Sequence, residues 1–347
     1  MIRVLVIGSG AREHAITHAL CNSGASVSCF ASNLNPGIMA LADNLEIGDL
    51  NSPDRVTDYA AQQRIDLAVI GPEAPLAAGV ADALRTESIP TVGPGHKLAQ
   101  IETSKAFARN LLTRNGIPGC PRYRTFDTLD GVADWLGELG DGYVVKYDGL
   151  AGGKGVKVAG DHLHSHAEAL NYCRELVTKD GCFVVEEKLI GEEFSLMSFC
   201  DGDTLHHMPA VQDHKRALEG DCGPNTGGMG SYSDANYTLP FLEHEDIKAA
   251  HTINEATAAA LYKECGEPYR GFLYGGFIAT TSGPKLIEYN ARLGDPEALN
   301  VLEILQSDFV AICHGMATET LASIGVDFRP AATVCKYIVP EGYGAKP

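Results

Sequence analysis

The segment KYDGLAGGKGVKV, residues 146–158, decides how the rest of the chain is read. It reads as a strand ending at Lys146, a turn through Gly149, Gly152, Gly153 and Gly155, and a second strand carrying Lys154 and Lys157. Glycines let a backbone turn sharply, and successive N–H groups can then face one concavity. Bracketing lysines add the positive charge that a polyanion such as a triphosphate requires. A Walker A loop would carry Ser or Thr after its lysine, but Gly155 follows Lys154. The stretch is therefore expected to be a hairpin lid and not a loop entering a helix. Taken alone it is read equally well as a surface hairpin with solvated lysines. Three lysines clustered in a chain of net charge −18 run against that plainer reading.

At 347 residues the chain is long enough for two or more domains with sizeable cores. Its acidity argues against a general nucleic-acid binder. No apolar run reaches membrane-spanning length, and the opening MIRVLVIG lacks the features of a signal peptide. The ten cysteines include no C-x-x-C pair, so reduced thiols and a cytoplasmic location are expected.

Residues 1–102 alternate strand and helix patterns, with strands expected at 3–7, 27–31, 67–70 and 91–92 and a helix at 12–23. This is a doubly wound parallel α/β unit, whose ligands bind at the carboxyl ends of strands. Its first turn, GSGAREH, has Glu13 where a dinucleotide fingerprint needs a third glycine, which argues against a nicotinamide-dependent oxidoreductase. Arg12 and His14 would lie in the first helical turn beside free N–H donors, a setting for a phosphorylated small molecule. An ordinary exposed helix start is the alternative. Glu73, in IGPEAPLAAG, is expected on the same rim.

Residues 104–115 read as a helix with Lys105 near its start. Residues 123–189 read as a small α/β lid subdomain, with 103–122 and 190–327 as the central domain. The tail 331–340 alternates like one more strand. It is expected to pair with the central region and to leave one edge exposed, with 328–347 the start of an incomplete further domain.

Three constellations carry chemistry. VVEEKLIGEEFS, 184–195, has the form of a hinge that offers backbone groups to a planar ring, with Leu189 against its face and Glu193 towards hydroxyls; an exposed acidic turn is the bland alternative. QDHKR, 212–216, concentrates Asp213, Lys215 and Arg216 beside a glycine turn, NTGGMG, and reads as a reaction centre or as ordinary salt bridging. LIEYNARLGDPEAL, 286–299, places Glu288, Asn290 and Arg292 on one face of a strand. A carboxylate, an amide oxygen and a guanidinium suit a hard cation beside a transferring phosphoryl group. GDPE then brings Asp295 and Glu297 towards the same point.

In this order the motifs resemble the ATP-grasp enzymes. GSGAREH, TSKAFAR, DGLAGGKGV, QDHKR, NTGGMG and NARLGDPE resemble, within them, the phosphoribosylamine–glycine ligase family of purine biosynthesis, from residue 1 to about 330. The resemblance implies ATP as co-substrate, a magnesium or manganese ion, glycine and 5-phosphoribosylamine as substrates, and a monomer without nucleic-acid or membrane partners. It implies that Lys105, Lys146, Gly152, Gly153 and Lys154 hold ATP phosphates. Glu186, Glu187 and Leu189 would face adenine, and Glu193 the ribose. Glu288 and Asn290 would bind the metal. Asp213, Lys215 and Arg292, with Asp295, Pro296 and Glu297, would surround glycine and an acyl phosphate. Gly10, Arg12, Glu13 and His14 would help to hold phosphoribosylamine. The chain departs from the family in Ala11, in Leu293, and in LYGGFIA, which lacks the acidic metal ligand found in many ATP-grasp enzymes. Another carboxylate–amine ligase of this superfamily and a non-catalytic nucleotide binder remain the rival readings.

Overall fold

A computed structural model of the chain describes residues 1–151, 155–179, 181–220 and 222–344. The first five strands, β1 (Arg3–Ile7), β2 (Ser26–Ala31), β3 (Asn44–Ile47), β4 (Leu67–Ile70) and β5 (Thr91–Val92), form a parallel sheet in the order β3-β2-β1-β4-β5. After Arg3, the runs RVLVI and LAVI are apolar and buried because both faces of the sheet are covered. The helices of this unit are α1 (Ala11–Asn22), α2 (Pro36–Leu41), α3 (Pro53–Gln63), α4 (Glu73–Ala77) and α5 (Val80–Thr86). The strand order reverses around β1 and β4, so the carboxyl ends of these strands form the crevice in which such sheets place ligands.

Two helices lead out of this unit, α6 (His96–Thr103) and α7 (Lys105–Arg114). Between them Ser104 caps α7, its hydroxyl accepting the Phe107 N–H at 3.0 Å. Next come β6 (Tyr123–Phe126), α8 (Val132–Leu139), β7 (Tyr143–Tyr147), β8 (Val156–Val158), α9 (His166–Thr178) and β9 (Phe183–Glu187). Their antiparallel sheet, β6-β9-β7-β8, has a core of its own that includes Trp135, Tyr143, Tyr172 and Phe183. The Trp135 indole N–H donates to the Val185 carbonyl at 2.9 Å, which satisfies the one polar atom of that ring.

The remaining strands are β10 (Glu192–Cys200), β11 (Leu205–His207), β12 (Gln212–Leu218) and β13 (Cys222–Ser233), then, after the long helix α10 (His244–Cys265), β14 (Gly271–Thr280) and β15 (Gly283–Asn290). Helices α11 (Glu297–Ile304) and α12 (Phe309–Thr318) precede β16 (Thr333–Lys336). One antiparallel sheet runs β11-β10-β14-β15, a second β12-β13-β16. The two faces of β1 feed different cores: Leu5 and Ile7 belong with Leu273, Phe277 and Leu286, whereas Val4 and Val6 belong with Met197, Phe199 and Phe309. The first sheet and the central sheets are thus packed as one body.

Two sequence expectations change here. NTGGMG is not a turn but part of β13. Its glycines serve close approach: a Cβ on Gly230 would lie 2.5 Å from the Cys335 carbonyl oxygen, and one on Gly228 would lie 2.8 Å from Pro296 Cδ. The tail strand is shorter than the alternation suggested, spans Thr333–Lys336 and, among the described residues, pairs with β13. Among the described residues no helix is long and apolar enough to cross a membrane.

Candidate active site

β15 ends at Asn290, so Glu288 and Asn290 share a face of the strand as their two-residue spacing requires. Arg292 lies beyond the strand, and side chains from other elements position it. Its Nη2 is 3.1 Å from Glu102 Oε1 and donates to Asn290 Oδ1 at 3.1 Å, while its Nε is 3.6 Å from Glu73 Oε2. Burial disfavours the Arg292 charge, but Glu102 and Glu73 outweigh it and hold the guanidinium protonated. Burial pushes the Glu102 carboxyl upward against the pull of Arg292. It also accepts the Ala291 N–H at 2.7 Å, so it fixes the chain immediately after the strand.

The Glu288 carboxylate is the electrostatic centre of the site. Burial alone would raise its pKa, but Lys215, Lys146, Lys105 and Arg292 together hold it below the ordinary carboxylate value. These cations come from β12, β7, α7 and the segment after β15. Among the described residues no group of three or more His, Cys, Asp or Glu forms a complete metal cage. Two oxygen donors, Glu288 and Asn290, nevertheless fit a magnesium or manganese ion that takes its other ligands from phosphates and water.

On β12, Asp213 and Lys215 share a face. The Lys215 Nζ lies 3.7 Å from Asp213 Oδ2 and 3.7 Å from Glu193 Oε2, the latter on β10. Asp213 first, against burial, and then Glu193, Glu288 and Glu297 raise the pKa of this ammonium. Its side chain is 41% exposed, so water screens part of that attraction. Glu297 is buried and accepts the Tyr274 hydroxyl at 2.8 Å. Burial and then Asp213 push its carboxyl up to about 7. Asp295 serves different partners: it accepts the Tyr337 hydroxyl and faces the Arg12 N–H at 3.5 Å. Glu297 and Asp295 therefore divide the GDPE turn between two directions. Pro296, between them, packs against Gly228.

The rim at α1 is already furnished with acid. Glu13 accepts the Gly10 N–H at 2.6 Å and the Arg12 Nε–H at 2.5 Å. Its side chain fills the space that Cβ atoms on Gly8, Gly10 and Gly71 would need. Arg12 is buried and donates to the Leu293 carbonyl at 3.2 Å. The imidazole of His14 packs on Gly37, where a Cβ would lie 2.6 Å from its Nε2. Contrary to the expectation of free donors flanked by Arg12 and His14, the N–H of Gly10, which caps α1, is taken by Glu13, the Arg12 N–H faces Asp295, and the Arg12 side chain is committed to the protein.

At the lid, Lys146 is buried against Glu186 and donates to the Ile287 carbonyl at 3.0 Å. Glu186 directs its carboxylate into this contact and not towards the hinge surface; Glu187 accepts the Arg122 N–H at 2.9 Å. Leu189 is half-buried in the turn between β9 and β10. Lys105 donates to the Gly149 carbonyl at 2.9 Å. Lys157 stacks over the Tyr172 ring at 3.9 Å, so it does not flank a phosphate concavity as the hairpin reading had it. Gly152, Gly153 and Lys154 lie outside the described residues.

Sequence reading missed Arg109, Asp148, Glu102 and Tyr337. Arg109 stands four residues after Lys105 on α7, on the same helical face, and that spacing was a usable signal. Asp148 accepts the Ala106 N–H and the Ser104 hydroxyl, each at 3.1 Å, and so docks the start of the glycine loop on α7. Glu102 and Tyr337 act through contacts distant in sequence, for which no local pattern exists.

A strand carrying Glu288 and Asn290, with Lys215, Lys146, Lys105 and Arg292 acting on the Glu288 carboxylate, is the arrangement of an ATP-grasp ligase. Residues 2–102 match the N domain of phosphoribosylglycinamide synthetase, and residues 103–298 match its ATP-grasp (A) domain. The chain belongs to this family. It is 50% identical to a phosphoribosylamine–glycine ligase of Methanosarcina barkeri, over 100% of this chain and 80% of that one. It is 49% identical to the ligase of the same name from Methanosarcina acetivorans, over 100% and 78%. The crystal structure of a phosphoribosylamine–glycine ligase from Thermotoga maritima superposes with a TM-score of 0.79 at 29% identity, covering 96% of this chain and 79% of that one.

Proposed function

We propose that the chain joins glycine to 5-phosphoribosylamine at the expense of ATP, through glycyl phosphate, in purine biosynthesis. The observation that carries this reading is Glu288 under the combined field of Lys215, Lys146, Lys105 and Arg292. Simple nucleotide binding needs no such convergence at the phosphate end, whereas phosphoryl transfer depends on it.

A carboxylate oxygen of glycine attacks the γ-phosphorus of ATP, the bond to the β–γ bridging oxygen breaks, and ADP leaves. The amine nitrogen of phosphoribosylamine then attacks the acyl carbon; the bond to the phosphate oxygen breaks, the nitrogen loses a proton, and glycinamide ribonucleotide forms. Lys105 and Lys146 hold the phosphates, and the backbone of the hinge from Glu186 to Leu189, with the Glu193 side chain, holds the nucleoside. Arg292 and Lys215 balance the charge on the transferring group, while Asp213 and Glu297 orient glycine. Asp295, with Pro296, Gly10, Arg12, Glu13 and His14, forms the amine-substrate side. Because Glu13 in the first turn of α1 and Asp295 facing it from the GDPE turn are both acids, that rim suits the amine and hydroxyl groups of this substrate better than its phosphate. A divalent magnesium or manganese ion on Glu288 and Asn290 would supply Lewis-acid polarisation of the phosphates. The glycine loop, by closing, would exclude water from the acyl phosphate.

The test is ADP release with Mg·ATP, glycine and freshly made phosphoribosylamine, each omitted in turn. Release that needs both acid and amine, with glycinamide ribonucleotide as product, is expected. Equal release with another acid in place of glycine would point to a different ligase of the superfamily.

A further inference from the structure

Lys146 belongs to a cluster of three buried charges, one of which, Arg109, has no part in the reaction as described above. Arg109, Glu186 and Lys146 are only 2%, 3% and 4% exposed. Arg109 grips Glu186 with both arms of its fork, Nε to Oε2 at 2.8 Å and Nη2 to Oε1 at 3.1 Å. Lys146 contacts the same Oε1. Both cations also donate to one acceptor, the Ile287 carbonyl, Arg109 at 2.5 Å and Lys146 at 3.0 Å. That carbonyl belongs to the residue before Glu288 on β15, so the cluster joins α7, β7, β9 and β15 at one point.

The charge count is the informative feature. Two cations share one carboxylate, which leaves an excess of one positive charge among these three groups in a place nearly closed to water; the next acid, Glu288, also acts on both cations, but it is shared with Lys215, Lys105 and Arg292. An isolated Lys–Glu pair would be neutral, and its ammonium would have little reason to engage a second anion. Arg109 cannot lose its proton, and its planar fork takes both oxygens of Glu186. Lys146 is therefore left partly uncompensated, and burial together with the neighbouring Arg109 lowers its pKa against the pull of Glu186. A buried unbalanced charge is costly. It is tolerable where an anionic ligand completes the balance.

We propose that Arg109 is a positioning residue for nucleotide: by engaging both oxygens of Glu186 it leaves the charge of Lys146 only partly neutralised and available to an ATP or ADP phosphate. The inference rests on the ligase reading above. A purely architectural role, tying α7 to β9 and β15, is the competing account, and the two differ in how charge substitutions combine.

The experiment is a cycle of variants, Arg109→Gln, Glu186→Gln and the double variant, in the full chain, with the affinity for Mg·ADP read by calorimetry and folding read by thermal unfolding. In formal charge the cluster is positive in wild type, neutral with Arg109→Gln, doubly positive with Glu186→Gln, and singly positive again in the double variant. Arg109→Gln is expected to weaken Mg·ADP binding about tenfold or more, Glu186→Gln to leave it unchanged or tighter, and the double variant to return within about threefold of wild type. Arg109→Lys, which keeps the charge and loses the fork, is expected within about threefold of wild type, and it serves with the double variant if Arg109→Gln does not fold. Unchanged binding by a folded Arg109→Gln, or a double variant and Arg109→Lys that both bind as poorly as a charge-neutral cluster, would overturn the proposal. A wild-type chain that binds no Mg·ADP would instead overturn the ligase reading beneath it.

Discussion

The guanidinium of Arg292 lies 3.1 Å from the carboxylate of Glu102, and through that contact α6 holds the chain at the end of the candidate metal strand. The pair is almost enclosed, with 18% of the Arg292 side chain and 6% of the Glu102 side chain exposed. Breaking a buried pair leaves the surviving charge without compensation. Glu102→Ala is expected to lower the unfolding free energy by about 3–5 kcal/mol, and Glu102→Gln, which retains an acceptor for the Ala291 N–H, by less. Urea unfolding of the two variants checks this; a loss below about 1 kcal/mol for Glu102→Ala would mean that the pair is solvated in solution.

Glu288→Ala is expected to abolish turnover and to leave binding of the adenine moiety nearly unchanged. The carboxylate acts at the phosphate end, where stabilisation grows in the transition state, and the nucleoside is held at the hinge. Steady-state rates and nucleotide titration separate the two effects. A variant that kept more than about a tenth of the wild-type rate, a change of only ~1.4 kcal/mol, would contradict the metal assignment.

Glu297 sets a pH dependence whose sign follows from its surroundings. Its carboxyl is pushed from 4.5 up to about 7, first by burial and then by Asp213. The folded state therefore binds this proton more tightly than the unfolded chain. The resulting stabilisation is fully present below 4.5 and is lost as pH rises through about 7. The size is on the order of 3 kcal/mol. Glu297→Gln is expected to remove this component, so urea unfolding between pH 5 and 8, about the range the shift spans, is flatter in the variant. Parallel pH profiles for variant and wild type would show that Glu297 does not titrate in this window.

Tyr337 follows β16, and its hydroxyl holds Asp295 in the turn that faces α1. Tyr337→Phe removes that hydroxyl and leaves the ring. The expected result is a fall of about tenfold in kcat/KM for phosphoribosylamine, near 1.4 kcal/mol, with the KM for ATP unchanged. An equal loss for both substrates would show that the tyrosine supports the fold in general and not the amine side.

Much of this was legible from local pattern. Apolar β-branched runs marked β1 and β4, and the two-residue period brought Glu288 and Asn290 to one face of β15. Glycines beside Lys146 marked the lid, and the structure supplies a reason for two of them: Cβ atoms on Gly149 and Gly155 would strike Tyr147. What local pattern hid was set by distant partners. Arg292 reads as the next residue of an alternating strand, yet Glu102 and Glu73 decide where it points. The start of α1 reads as an anion site until Glu13 and Asp295, the latter 283 residues from Arg12, are seen to occupy it. The glycines of NTGGMG signal a turn by composition, but they form a strand because Cys335 and Pro296 press against them.

The central claim is that glycine is activated as an acyl phosphate beside Glu288, and the most direct measurement follows one oxygen atom. The chain is supplied with Mg·ATP, phosphoribosylamine and glycine whose carboxylate carries heavy oxygen, and the inorganic phosphate released is analysed by mass spectrometry. Attack of the glycine carboxylate on the γ-phosphorus requires that one carboxylate oxygen leave with each phosphate, so the account predicts phosphate bearing one heavy oxygen for each glycinamide ribonucleotide formed. Phosphate without the label, under conditions of full turnover, would contradict it.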